Sequence, residues 1–313
     1  MLVKGDVLIS NFNNNVNLPA GEQGRGSTIV EISPSGTLSL FAQIDPGSLH
    51  GSCPGGVGLT TALVVLKRGW VIVGSLPTSD GTSATMQAGC LIVLNSHGQV
   101  VETFAGHHIN GPWDMTARDR DSKAQLFVTN VLNGTVAASP NVVNQGTILR
   151  IELTVPKDGD GKPNRESTTV IGSGFSERTD PSALVVGPTG VGLGSDGTLY
   201  VADSVNNRIS AIPDAVNRDS TAFTGNDVTA NGGVNDPLGL AMAPNGDILT
   251  VNGGDGNIVE TTPDGNQVAV RLLDNTAPAP TGGAGTLFGV AVVPGGSGVY
   301  FVDDGDNTFR LLH

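Results

Sequence analysis

The chain has 313 residues and a net charge of −13, from 16 Lys and Arg against 29 Asp and Glu. Its basic residues are scattered singly, so no basic patch is available to displace counterions from nucleic-acid phosphates, and an anionic membrane surface would repel the chain. Only 14% of the residues are charged and 45 are glycine, a composition typical of many short strands joined by tight turns.

A pattern of strand, glycine turn and strand recurs six times along the chain. In chain order the copies are Gly5–Asn11, Ala62–Ser75, Asp114–Asn130, Gly190–Ile209, Gly239–Ile258 and Gly289–Phe309. The equivalent residues of the second strand are Ile9, Val73, Val128, Val201, Thr250 and Phe301. Subtracting successive numbers gives spacings of 64, 55, 73, 49 and 51 residues, mostly above the usual propeller period of about 40–50. The excess lies in loops rich in Ser, Thr, Asn and Gly.

The fifth copy shows the repeated unit most completely. Its predicted strands are Leu240–Ala243, Ile248–Val251, Ile258–Thr261 and Val268–Leu272. The dipeptides Asn245-Gly246 and Asp264-Gly265 supply the positive φ angles that tight hairpins need. One such unit cannot bury both of its faces, whereas six units around an axis can. The sequence therefore predicts an all-β fold, a six-bladed β-propeller of four-stranded antiparallel blades, with residues 1–313 as a single domain.

One stretch carries a family resemblance. The run Leu199-Tyr-Val-Ala-Asp-Ser-Val-Asn-Asn-Arg-Ile209 resembles an NHL repeat, and a weaker resemblance to NHL and gluconolactonase-like propellers extends over nearly the whole chain. The resemblance implies the propeller fold. It does not imply one activity, because NHL-type propellers include binding modules, lyases and relatives of hydrolases.

The ends of the repeat pattern predict an irregular ring. The first copy begins at a second strand and the last copy ends at a third strand. We therefore expect the first blade to lack its inner strand and the sixth to lack its outer strand. Either an upstream strand is absent from this sequence or the ring closes in an unusual way, and an unpaired edge would favour aggregation.

The resemblance also locates a possible metal ring. In gluconolactonase and organophosphatase propellers, carboxylates and amides before the inner strands hold a divalent cation, and Ca²⁺ requires about 6–8 oxygen ligands. The matching positions here are Thr61, Trp113, Thr189, Leu238 and Phe288. None of these residues is Asp, Glu or Asn, so a metal site of the lactonase type is not expected. Trp113 is interpreted either as a hydrophobic plug of the channel or as the floor of a ligand pocket.

A polar residue closes the second strand of every copy. These residues are Asn11, Ser75, Asn130, Asp203, Asn252 and Asp303. One interpretation is structural, because Asn and Asp cap strand ends by bonding the local backbone. The alternative is a ring that binds a cation, a sugar or another ligand beside Trp113.

Two further clusters suggest metal ligands. His50, His107 and His108 lie in loops between blades and are candidate Zn²⁺ ligands, because the amidating lyases that NHL propellers resemble use a zinc held by histidine. They have no regular metal-binding spacing, so plain loop residues are the alternative. Asp158 and Asp160 resemble a short Ca²⁺ loop that lacks its distal Glu, and a solvated turn is the alternative.

The two cysteines leave two possibilities open. Cys53 and Cys90 both precede strands of the second blade, on one face. They form a disulfide if the compartment is oxidising and remain two buried thiols if it is not.

The prediction of function is based on three long polar loops. Residues 11–17, 76–88 and 130–145 follow second strands and therefore share one face, and loops on a rigid scaffold commonly carry binding sites. We predict a monomeric binding propeller for a protein, glycan or small ligand, with no membrane or nucleic-acid partner. The alternative is a metal-dependent hydrolase, lactonase or lyase at the channel mouth, using Ca²⁺ or Zn²⁺.

Low charge with Asn, Thr and Gly-rich loops favours a bacterial extracytoplasmic protein.

Overall fold

The structure, a computed structural model, describes residues 1–13, 23–276, 285–296 and 298–313. Within these ranges the strands form six antiparallel sheets that follow one another along the chain, and each sheet is one blade. The second-strand residues aligned in the sequence all fall in equivalent strands. The prediction of an all-β, six-bladed β-propeller is confirmed.

The strands are numbered in chain order. Blade 1 contains β1 (Val7–Ser10), β2 (Thr28–Ile32) and β3 (Leu38–Gln43). Blade 2 contains β4 (Leu59–Val65), β5 (Val71–Ser75), β6 (Cys90–Leu94) and β7 (Val100–Phe104). Blade 3 contains β8 (Pro112–Asp119), β9 (Lys123–Asn130), β10 (Val143–Thr154), β11 (Asn164–Asp180) and β12 (Leu184–Val186). Blade 4 contains β13 (Pro188–Leu193), β14 (Leu199–Asp203), β15 (Arg208–Ile212) and β16 (Asn226–Ala230). Blade 5 contains β17 (Pro237–Met242), β18 (Ile248–Asn252), β19 (Asn257–Thr261) and β20 (Gln267–Leu272). Blade 6 contains β21 (Leu287–Val292), β22 (Val299–Asp303) and β23 (Thr308–Leu312).

Blades 2, 4 and 5 have the four-stranded form that the repeat predicts. Each runs from an inner strand at the channel to an outer strand. In blade 5 the turn glycines Gly246 and Gly265 have φ angles of +93° and +95°. These angles favour glycine, as expected for tight hairpins.

Blade 3 departs from the pattern because its sheet has a fifth strand. β11 is 17 residues long, and its far end pairs with β12 through Arg178↔Val186 and Asp180↔Leu184. The chain therefore crosses the face of the propeller on which the second strands of the blades end. This face is called the upper face below.

Blades 1 and 6 each have three strands, as the ends of the repeat pattern predict. β1 pairs with β2, and β23 pairs with β22. Within the described ranges neither strand has a second neighbour in its sheet. In the part of the chain that the structure describes, blade 1 therefore has no inner strand and blade 6 has no outer strand.

The inner strands pack side by side around the axis, in the order β4, β8, β13, β17 and β21. Glycines permit this close approach: a Cβ atom on Gly190 would lie 2.4 Å from the Leu238 O atom, and one on Gly239 would lie 2.3 Å from the Phe288 O atom. At the equivalent position of β8, Asp114 uses its carboxylate instead and accepts a hydrogen bond from the Val191 N–H of β13. No helix in the described part of the chain is long and apolar enough to span a membrane.

Candidate functional site

The apolar residues at the upper end of the channel form a sealed cluster. Trp113 is 5% exposed, and its Nε1–H donates to the Val185 O atom at 3.1 Å. Leu238 and Phe288 belong to the same cluster. Its other members are Leu76, Met86, Val131, Leu132, Ala183, Leu184, Val185 and Val186, with Phe12, Val136 and Val205 packed against it. Because β12 supplies Leu184–Val186, the crossing segment of blade 3 covers the Trp113 side chain. Trp113 therefore packs as part of a plug.

The polar residues at the ends of the second strands hold the loops between blades. Ser75 Oγ accepts from the Gly58 N–H and donates to the Gly56 O atom. Asn130 Oδ1 accepts from the Asn110 and Gly111 N–H groups at 2.9 and 3.2 Å. Both side chains are fully buried. They fix the connections that lead into blades 2 and 3.

Other members of this column bond locally or to the connection that enters their own blade. Asn252 Nδ2 donates to the Gly233 O atom and to Asp255. Asp303 Oδ1 accepts from the Gly305 N–H, and Arg310 lies 3.4 Å from its other carboxylate oxygen. Asn11 is only partly buried and donates to Thr28 Oγ1. Each of these side chains bonds within the scaffold, in the manner of a strand cap, but Asn130 Nδ2 and Asn252 Oδ1 are buried without a hydrogen-bond partner in the described structure.

Asp203, in the run that resembles an NHL repeat, forms a buried ion pair. Its carboxylate accepts from Arg208 Nε at 2.7 Å and from Asn206 Nδ2 at 3.0 Å. Arg208 also pairs with Asp227 on the outer strand of blade 4. Burial raises the pKa of Asp203, and the bonds from Asn206 and Arg208 oppose this rise. The Asn-Asn-Arg motif therefore ties the second strand of blade 4 to its third and fourth strands.

Three carboxyl groups near the upper face, of which Glu177 is buried and Asp114 and Asp236 are half-buried, were not identified from the sequence. Burial raises the pKa of Asp114 to about 7 and that of Glu177 to about 7. Burial, together with the Asp180 carboxylate, raises the pKa of Asp236 to about 6. Buried groups with shifted pKa values occur often at functional sites, although scaffold positions show them too. No local sequence motif marks these residues, because their burial depends on blades that are distant in the sequence.

Glu177 lies under the long loop of blade 3. Its Oε1 atom accepts from the Asn133 N–H at 2.9 Å. Its Oε2 atom is buried and has no hydrogen-bond partner in the described structure. The carboxyl is thus favoured in its neutral form, since an ionised oxygen without partners is costly to bury.

The three histidines lie on the surface. His107 and His108 occupy an exposed turn between blades 2 and 3, with φ angles of 50° and 69°. His50 is exposed in the connection between blades 1 and 2. Across the described residues, no group of three or more His, Cys, Asp or Glu side chains is placed to hold a metal ion.

Asp158 and Asp160 lie on the face opposite the long loops, in the turn between β10 and β11. Asp158 Oδ2 accepts from the Ser96 N–H of blade 2 at 2.9 Å. Partial burial opposes ionisation, but the bonds from Ser96 lower the pKa of Asp158 overall. Asp160 is exposed. This pair therefore works at least in part as a contact between blades.

The cysteines form a disulfide. Cys53 and Cys90 are bonded, with their Cα atoms 5.2 Å apart. The bond joins the connection that leaves blade 1 to the first residue of β6. Of the two possibilities left open by the sequence, the structure has the disulfide.

The long loops of blades 2 and 3 lie together on the upper face, and residues 76–89 and 131–142 are called the loop face below. A 3₁₀ turn at Ser83–Thr85 contacts the short helix α1 (Thr135–Ala138). The Asp80 carboxylate accepts hydrogen bonds from Thr82 and Thr85, which close the first loop. In blades 4, 5 and 6 the turns that follow the second strands are short, at residues 204–207, 253–256 and 304–307. The upper face is therefore lopsided, as predicted, although residues 14–17 of the predicted first loop lie outside the described residues.

Comparisons with known proteins agree with the fold. Residues 186–212 match the NHL repeat family. A gluconolactonase from Xanthomonas campestris is similar, with a TM-score of 0.56 and 13% identity over 91% of this chain and 78% of that one. A putative 6-phosphogluconolactonase from Bacteroides uniformis gives a TM-score of 0.54 and 15% identity over 97% of this chain and 80% of that one.

A third solved structure belongs to a lyase. An inactive variant of virginiamycin B lyase from Staphylococcus aureus, with quinupristin, gives a TM-score of 0.50 and 14% identity over 98% of this chain and 88% of that one. No curated protein sequence matches the chain significantly. At such low identities these structures show a shared fold and no more. The blade pattern and the similar structures together identify the chain as a six-bladed β-propeller, in which residues 186–212 match an NHL repeat.

Proposed function

We propose that this chain is a non-catalytic binding propeller whose loop face takes a protein, glycan or small ligand. The observation that carries the proposal is the pairing of two long loops, from blades 2 and 3, beside a cluster of apolar side chains at the channel end. Trp113 and Leu238 are buried in this cluster, whereas the loops expose polar side chains at the surface of this face, where binding sites commonly lie.

The chemistry of the loop face favours an uncharged polar partner. Its exposed side chains include Ser79, Thr82, Gln87, Ser139 and Asn141. The exposed carboxylate of Asp80 already accepts hydrogen bonds from its own loop, which lower its pKa. Hydroxyl and amide groups bond neutral polar groups such as sugar hydroxyls or peptide amides.

The loops are ordered before any partner binds. Thr78 Oγ1 accepts from the Gly81 N–H and donates to the Gln23 O atom. In the second loop, Thr135 Oγ1 donates to the Val131 O atom and Asn110 Nδ2 donates to the Leu132 O atom. Preorganised loops lose little conformational entropy on binding.

Blocking substitutions on this face test the proposal. Ala84 and Ala137 are exposed, one on each loop, and Ser35 is exposed on a turn at the opposite face. A glycan array and a neutral small-molecule library are screened with the unmodified protein, and each hit is then titrated against Ala84→Trp, Ala137→Trp and the control Ser35→Trp. We expect at least a tenfold loss of affinity in the first two variants and none in the control. Hits that bind all three variants equally contradict the loop face as the site.

A second candidate is a hydrolase, lactonase or lyase at the channel mouth. Asp114 favours it, because this carboxyl lies on an inner strand and has its pKa raised to about 7, in the range of a general acid or base. Gluconolactone hydrolysis is measured without metal and with Ca²⁺ or Zn²⁺, in the unmodified protein and in Asp114→Asn. Metal-dependent hydrolysis that Asp114→Asn abolishes would replace the binding proposal.

The disulfide supports an extracytoplasmic location. Disulfides persist in oxidising compartments and are rare in reducing ones. We propose that the native protein carries the Cys53–Cys90 bond. Thiol titration of denatured protein taken from its native source is expected to find no free thiol, and two free thiols per chain would contradict this location.

A further inference from the structure

One aromatic ring of this chain is exposed to solvent. The structure describes all nine phenylalanines, both tryptophans and both tyrosines, and among them Phe223 alone is exposed, at 71%. Its φ angle is 54°, a left-handed conformation that bulky residues rarely adopt. Both features are unfavourable in the free protein, and backbone outliers of this kind concentrate at functional sites. Phe223 is therefore a candidate for contact with a ligand.

Phe223 lies in a long connection of blade 4. Residues 213–225 join β15 to β16, whereas residues 262–266 make the equivalent connection in blade 5. β15 starts at the upper face, so the connection that follows it starts at the opposite face. Loops that extend one unit of a rigid, repeated scaffold commonly carry binding sites. The connection is separate from the loop face.

The turn around Phe223 is fixed against the long strand β11 of blade 3. The Ala222 N–H donates to the Ile171 O atom at 2.8 Å. The Ser173 N–H donates to the Phe223 O atom at 2.9 Å, and the Phe223 N–H donates to Thr221 Oγ1. The ring is thereby positioned before a ligand arrives, which lowers the entropy lost on binding.

A bulge leaves bare backbone beside this turn. Gly174 is left out of the pairing of β10 with β11, between Ser173 and Phe175. It is exposed, its φ angle is +82°, and a Cβ atom there would meet only Thr224 Cγ2, at 3.9 Å. Bulges occur often beside sites of function. No side chain at this point of β11 obstructs a ligand.

The charged side chains of this connection are bonded inside the protein. Residues 213–227 contain four such side chains. Asp219 and Asp227 pair with arginines of β10 and β15. Asp214 accepts from a nearby amide, and Arg218 donates to two backbone carbonyl groups. With its charges engaged in this way, the surface around Phe223 favours an uncharged ligand.

Neutral polar side chains beside Phe223 are uncommitted. In the described part of the chain, the side chains of Ser220, Thr224 and Asn226 form no hydrogen bond to another residue. Hydroxyl and amide groups both donate to and accept from sugar hydroxyls. The C–H groups on one face of a sugar ring carry partial positive charge, and the face of an aromatic ring is negative. A neutral sugar therefore matches both the ring and its polar neighbours.

We propose that Phe223 and its turn form a carbohydrate-binding site, in which the phenyl ring stacks on one face of an uncharged sugar residue. Ser220, Thr224 and Asn226 bond the hydroxyl groups of the sugar. The ligand is one unit of a neutral oligosaccharide or polysaccharide. The site does not depend on the proposed function, because it lies away from the loop face.

Fluorine NMR tests the site directly. The protein is labelled with para-fluorophenylalanine, which gives one signal for each of the nine phenylalanines, and the Phe223 signal is the one absent from Phe223→Leu. The probes are cellohexaose, laminarihexaose, xylohexaose, mannohexaose and chitohexaose, each added to about 5 mM so that millimolar dissociation constants are detected. We expect at least one probe to shift the Phe223 signal saturably.

Two variants identify where the sugar binds, with affinities measured by calorimetry. Phe223→Leu keeps an exposed apolar side chain without an aromatic face, and we expect at least a tenfold loss of affinity. Ala84→Trp blocks the loop face and should bind the same sugar with unchanged affinity.

Four results would overturn the proposal. The first is that no probe shifts the Phe223 signal, and a spectrum in which none of the nine signals moves decides this even if Phe223→Leu does not fold. The second is equal affinity in Phe223→Leu and the unmodified protein. The third is loss of binding in Ala84→Trp alone, which would assign the sugar to the loop face. The fourth is self-association that Phe223→Leu abolishes, without sugar binding, as measured by light scattering.

Discussion

At the scale of single residues, the buried carboxyl of Glu177 makes stability depend on pH. Its pKa is about 7 in the folded protein, against an ordinary value of 4.5, so the folded state binds the proton more tightly than the unfolded chain does. Stability therefore falls as pH rises from about 4.5 to about 7, by on the order of 3 kcal/mol for this group. Asp114 and Asp236 act in the same direction.

Glu177→Gln keeps an acceptor for the Asn133 N–H and removes the titration. We expect the variant to be more stable than the unmodified protein at pH 8 and about equal to it at pH 4.5, as measured by urea unfolding. A stability difference that does not change between these pH values would show that Glu177 does not titrate in this range.

Two equivalent glycines form a matched pair. Gly239→Ala would place a Cβ atom 2.3 Å from the Phe288 O atom, and we expect a loss of about 1–3 kcal/mol or more in the free energy of unfolding. Gly289→Ala meets only a methyl group at 3.8 Å. It should change stability by less than about 0.5 kcal/mol in the free protein. Equal losses in the two variants would contradict the different surroundings of the two glycines.

The repeated sequence pattern predicted which positions are polar or apolar in each blade. It did not predict which atoms the polar side chains contact. The positions of Asn130 and Asn252 follow from the repeat alone. Their contacts with Asn110, Gly111 and Gly233 come from the preceding blade connections. Glu177 left no signal, because the loop and strand that bury it are brought together only by the fold.

At the scale of elements, the disulfide is the covalent tie of the N-terminal blades. The bonded cysteines are 37 residues apart, for which the chain-entropy relation gives a stabilisation of about 4 kcal/mol. We expect the double variant Cys53→Ala, Cys90→Ala to unfold at lower urea concentration than the unmodified protein. Reductant should lower the midpoint of the unmodified protein and leave that of the double variant unchanged. A midpoint insensitive to reductant in the unmodified protein would contradict this role.

Strands that follow the regular sequence repeat were predicted well, whereas strands outside that repeat were not predicted. The four strands of blade 5 lie within one to three residues of their predicted bounds, because Asn-Gly and Asp-Gly turns mark their ends. The extension of β11 and the crossing strand β12 were not predicted. Residues 164–186 are mixed in polarity, and the pairing of Leu184–Val186 depends on its place over the Trp113 cluster.

At the scale of the whole molecule, the sequence repeats predicted the ring of blades. For the closure of the ring they predicted only that the first and last blades would be irregular. Six copies of one pattern imply six blades, since each blade buries its faces only against its neighbours. The sequence also indicated that blades 1 and 6 would each lack a strand. The different surroundings of the equivalent glycines Gly239 and Gly289 among the described residues came only from the packing of the inner strands.

We propose that this propeller binds a partner without a channel metal, because three of the five residues that precede its inner strands, Trp113, Leu238 and Phe288, are apolar. The most direct test is native mass spectrometry of protein purified without chelator and dialysed against metal-free buffer. We predict a monomer with one disulfide and no stoichiometric divalent metal. One tightly held Ca²⁺ or Zn²⁺ per chain after dialysis would contradict the account and favour an enzyme at the channel mouth.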